Sequence, residues 1–169
     1  MPSLLVRLPP YRDDAVAVLF TLAVVVLLGA PTGLLWSALA PHAKVVIDAN
    51  GANFADAITE DFIAADAVFA GLILVVGLFT GVLAWLLARG AGSFVGIGLA
   101  AGGLLAALVA AEVGMRPGQD ALQAAAQAGR AGNYVANVAL QSNLVVVLWP
   151  VGALASFLTL VLSRPDQVE

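Results

Sequence analysis

The stretch "FIAADAVFAGLILVVGLFTGVLAWLLARG", residues 62–90, decides the fold. Between Asp66 and Arg89 it runs for 22 residues without a charge. A helix of that length, at 1.5 Å per residue, reaches about 33 Å and crosses a hydrocarbon core of about 30 Å. Three further segments have the same character, so the spans read as approximately Ala15–Ala38, Ala67–Ala88, Ala91–Ala111 and Asn143–Leu162, with charges only at their edges. Of the 169 residues, 62% are hydrophobic and 11% charged. A soluble domain carries roughly a quarter charged residues, and no water-facing surface could accommodate this much apolar side chain. The fold class is an all-α membrane protein, a four-transmembrane-helix bundle forming one integral membrane domain over residues 1–169.

The first span carries "SALA" before Pro41, a small-x-small pattern like a signal-peptide cleavage site. Its apolar run exceeds the 7–15 residues of a signal peptide, and a proline after the cut opposes cleavage. It reads as a retained helix. Inside it Pro31 removes a helical hydrogen bond and predicts a bend in the outer half of the span, with Gly29 and Gly33 opening the way for a neighbour. The chain has no cysteine, which excludes disulfides, thiolate metal sites and thiol catalysis. A net charge of -4 provides no basic stripe for nucleic acid.

Positive charge close to the membrane marks the cytoplasmic side. Arg12, Arg89 and Arg164 hug span ends on one side, with Arg7 beyond them, whereas Lys44, Arg116 and the distant Arg130 lie on the other. Both termini are therefore expected in the cytoplasm of a cell whose plasma (inner) membrane holds the protein. The loops at about 39–66 and 112–142 then lie outside, as a small extracytoplasmic cap.

In the first loop, "KVVIDANGANFADA" (44–57) pairs a β-branched run with Asn50-Gly51, a strong two-residue hairpin signal. Asn53 to Asp56 supplies the expected return strand. A lone hairpin is marginal in water, so it has to lean on the second loop or on another protein. The second loop predicts a short outer helix at about Asp120 to Ala128, breaks at Gly118 and Gly129 to Asn133, and a lead-in to the fourth span. The outer interface candidates are Asn50, Gly51, Phe54, Asp66, Glu112 and Arg116.

Small-xxx-small spacing occurs at Gly77 and Gly81, at Gly92 and Gly96, and at Gly98 and Gly102. Such glycines let helix backbones approach closely. They serve either packing of spans two and three against each other, which the short "RGAGS" turn favours, or a face for another membrane protein. Asp66 and Glu112 sit at the outer boundary. They are either ionised headgroup-level residues, hydrated or paired with Arg116, or carboxylates of a small homo-oligomeric transporter or channel. His42 is a lone histidine without converging donors, and the serines have no nucleophile-elbow context. No cofactor, metal site or catalytic residue is expected.

The segments "GAPTGLLWSALAP" (29–41), "FIAADAVFAGLILVVGLFTGVLAWLLARG" (62–90) and "GLAAGGLLAALVAAEVG" (98–114) together resemble a family of small actinobacterial four-span membrane proteins. The likeness extends from about residue 22 to 163. Its most specific element is Phe62, Ala64, Ala65 and Asp66 leading to Trp85 and Arg89. A member looks like the lipid uptake coordinator subunit that accompanies Mce lipid importers. The resemblance implies a non-enzymatic accessory subunit whose partners are membrane lipids and the permease and ATPase of the importer. It also implies that the glycine faces dock beside a permease helix and that the hairpin leans on the complex.

Overall fold

The computed structural model describes residues 11–42, 44–48, 51–54, 60–87, 94–117, 119–135 and 138–163. Asn50 and Gly92 lie outside these residues. Among the described residues, four helical segments are long and apolar enough to cross a membrane: Ala15–Leu39, Glu60–Leu87, Val95–Met115 and Asn143–Leu162. The expected spans differ from these mainly at the start of the second and at both ends of the third.

The first span is two helices, α1 (Tyr11–Leu27) and α2 (Gly29–Leu39), interrupted at Leu28. Pro31 has no N–H to offer the carbonyl of Leu27 four residues earlier, and its ring crowds that carbonyl. Leu28 N–H turns to Val25 O at 3.1 Å, while Thr32 donates to Leu28 O through both N–H (3.2 Å) and Oγ1 (2.7 Å). The bend therefore lies mid-span, one turn before the proline.

Two strands follow, β1 (Lys44–Asp48) and β2 (Gly51–Phe54), and then α3 (Glu60–Leu87) and α4 (Val95–Met115). The chain continues through α5 (Gln119–Gln127), β3 (Gly132–Val135), a 3-10 segment (Asn143–Val147) and α6 (Leu148–Leu162).

The bundle is built from two pairs of parallel spans. Gly77 and Gly81 of α3 lie against the backbone carbonyls of Trp149 and Ala153 in α6, so both indices rise together along the pair. In the same way Gly98 and Gly102 of α4 face Val18 and Leu22 of α1. Beyond the bend, Gly29 and Gly33 of α2 meet Ala106 and Ala110 of α4. One stripe of α4 at four-residue intervals, Gly98, Gly102, Ala106, Ala110 and Gly114, thus follows the whole first span. A second face carries Gly103, which abuts Pro150, and joins α4 to α6 in the antiparallel sense.

This corrects the expectation that spans two and three pack against each other through their glycines. They adjoin in sequence, but the principal neighbour of α3 is α6 and those of α4 are α1, α2 and α6. A short connection constrains only the ends of two helices, whereas dispersion contact along a glycine stripe rewards whichever backbone fits it. Gly96 has no such role and meets only a Leu154 methyl at 3.8 Å.

The cap is a three-stranded antiparallel sheet in the order β2-β1-β3. Asp48 pairs with Gly51 and Val45 with Phe54, so the return strand begins two residues earlier than expected. The alternate positions Val45 and Ile47 point to one face and are buried with Ala125 of α5, and Phe62 and Tyr134 pack over them. Gly129, at φ 59°, ends α5 in a left-handed turn. Arg130 N–H there reaches Ala125 O at 3.1 Å, and Gly129 N–H reaches Ala126 O at 3.2 Å. That reversal delivers β3 to β1. The second loop of this chain supplies a surface on which the hairpin leans, and β3 stands where the sequence predicts a lead-in to the fourth span.

Gly77 and Gly71 provide a paired test within one helix. A Cβ on Gly77 would sit 2.5 Å from Trp149 O, whereas around Gly71 nothing lies within 4 Å. Gly77→Ala should destabilise the protein by about 1–3 kcal/mol, the usual cost of overpacking, and Gly71→Ala should be neutral or slightly stabilising. Unfolding in mixed micelles checks both.

Candidate functional site

The residues with polar work to do gather where the cap joins the bundle. At 28 residues, α3 is about 42 Å long and outruns the hydrocarbon core. Its first turns therefore stand in the boundary layer, with Glu60 and Asp61 favourably placed against the dipole at its N-terminus. Two adjacent residues of this overhang, Ala65 and Asp66, hold two of the three other chain crossings between cap and membrane, those of the first and fourth spans.

Ala65 holds the first span. The indole Nε1–H of Trp36 donates to the Ala65 carbonyl at 2.9 Å, and the ring tilts against Phe69 with centroids 4.6 Å apart at 51°. Trp36 is fully buried, so its indole is not the water-boundary anchor that its position near a span end suggests. Gly114 makes room for it, since a Cβ there would lie 2.5 Å from Trp36 Cε3.

Asp66 holds the fourth span. Its Oδ1 accepts the N–H of Gln141 and its Oδ2 that of Ser142, both at 3.0 Å. Ser142 directly precedes the 3-10 segment that opens this span. Free amides at a helix start favour a negative charge, and a carboxylate accepting two of them makes charge-assisted bonds. The half-buried Asp66 thus serves as a cap for another helix. It is not paired with Arg116 as one sequence reading had it.

Glu112 and Arg116 are exposed, on α4 and just after its end. Both Asp66 oxygens accept backbone amides, whereas Glu112 has its carboxylate on the exposed side of α4. Gly51 opens β2 and Phe54 ends it. Among the described residues no group of three or more His, Asp or Glu could hold a metal ion.

Sequence reasoning missed Gln141 and Ser142 because their contribution is main-chain N–H, which any residue but proline carries. It also missed Gly103, Gly114 and Trp149. The doublet Gly102-Gly103 held a clue, since adjacent helical residues are 100° apart and indicate two crowded faces.

Asp66→Ala should cost about 1–3 kcal/mol, because two amides lose a charged acceptor, while Asp66→Asn, retaining one acceptor oxygen, should cost less. Hydrogen exchange at the Gln141 and Ser142 amides should accelerate in the same order, and Glu112→Gln should leave it unchanged. Comparison with known proteins returned no match: no family model, no curated protein and no solved structure corresponds to this chain.

Proposed function

We propose that the chain is a non-enzymatic accessory subunit of an envelope lipid-import complex of the Mce type, in the plasma membrane with both termini cytoplasmic. The observation that carries the accessory reading is the filled interior of the bundle. Trp36, Phe69, Ile73, Leu99 and Trp149 are fully buried at its centre. No ionisable side chain lies in the middle of any described span. A single copy so packed offers no polar path through the membrane, and its one boundary carboxylate with described partners is committed to holding helices together. The outer surface is then the working part.

That surface has two components. The cap contributes a small folded face in water, and α3 presents a broad apolar face through Leu74, Val75, Leu78, Phe79, Val82 and Leu86. This face is the better candidate for a permease helix, since Gly77, Gly81, Gly98 and Gly102 are occupied within the chain. The assignment to lipid import rests on the resemblance carried by residues 29–41, 62–90 and 98–114.

Affinity purification of the chain from its own locus in mild detergent, followed by mass spectrometry, tests the proposal. Permease and ATPase subunits of an Mce importer should accompany it in fixed proportion. Recovery alone or as a homo-oligomer overturns the accessory reading.

A further inference from the structure

The bend at Leu28 has opposite effects on the two halves of the first span. The half after it, α2, closes on α3 through Trp36. The half before it, α1, stands away from the last turns of α3, and a cleft of about 180 Å³ opens between them. Its walls include Phe20, Thr21, Val24, Thr80, Ala84 and Leu87. Both hydroxyls in the wall have spent their protons on their own helices, Thr21 on Ala17 O and Thr80 on Gly77 O, each at 2.8 Å. Among the described residues the cleft has no hydroxyl proton left to give, and a buried water needs two to four polar partners.

We propose that this cleft is a lipid site that holds one acyl chain of a membrane phospholipid as a resident ligand. A protein helix is a poor occupant, because a few side chains on two half-turns do not approach the roughly 800 Å² per partner of a stable protein interface. An apolar cavity of about 150 Å³ holds a benzene ring, so this cleft has room for a segment of one hydrocarbon chain. The cleft is also continuous with the lipid-facing surface of the bundle, since Phe20 and Leu87 on its rim are 65% and 71% exposed. A chain drawn in from there gives up contact with other lipid tails and gains contact with two fixed helix walls, so it should exchange slowly.

The proposal does not rest on the accessory reading, and its test uses the isolated protein. The full chain is extracted in polymer-bounded membrane discs, transferred to mild detergent and examined by native mass spectrometry for retained phosphatidylglycerol. Wild type should keep one lipid. Ala17→Phe, which fills the cleft, should lower its occupancy at least fivefold, and Val75→Phe, on the exposed face of α3 elsewhere, should not. Ala84→Leu makes the same comparison should Ala17→Phe fail to fold, as judged by thermal melting. Equal retention by filled and unfilled proteins, or no lipid retained by wild type, overturns the proposal.

Discussion

Backbone contact at glycine governs this molecule. Apolar side chains gain nothing by leaving lipid for one another, so helix association in a bilayer depends on how closely the main chains can approach. Gly77 and Gly81 admit the carbonyls of α6, and Gly98, Gly102, Gly29 and Gly33 let α4 follow the first span past its bend. The consequence is topological. Spans one and three pair in parallel, as do two and four, so each connecting loop passes from one pair to the other. The bundle is thereby interleaved, and α4, with small residues on two faces, is its centre.

Interleaving in turn places demands on the cap. Both loops leave the same end of the bundle, and pairing of β1 with β3 joins them directly. Three short strands and the nine-residue α5 would be a poor independent unit. They are stabilised by attachment to α3, whose Phe62 packs into the small core of the cap and whose Ala65 and Asp66 receive the first and fourth spans. A polar residue at the membrane boundary here acts through geometry, as an acceptor for amides that would otherwise lack one, and needs no ionisable partner.

Much of the fold was legible because its causes are local. Span number follows from apolar run length, and the first-span bend from the missing N–H of Pro31. The short α5 follows from an alanine- and glutamine-rich segment ended by Gly129. The return strand was legible as a strand but not in register, since Asp48 opposite Gly51 is decided by the pairing itself. For the candidate site, Asp66 stood out by its chemistry, but its partners did not. Main-chain amides leave no mark in a sequence, and Gln141 lies 75 residues away.

The sequence by itself determined that the chain is membrane-embedded and helical, and that certain helix faces are small enough for close approach. These depend on properties of single segments: length, hydropathy and the absence of a side chain. Only the tertiary structure decided which faces meet, that the second loop completes the sheet of the first, and that Trp36 turns inward to Ala65. Each is a choice among partners distant in sequence, made by the fit of one backbone or side chain against another, which no single segment encodes.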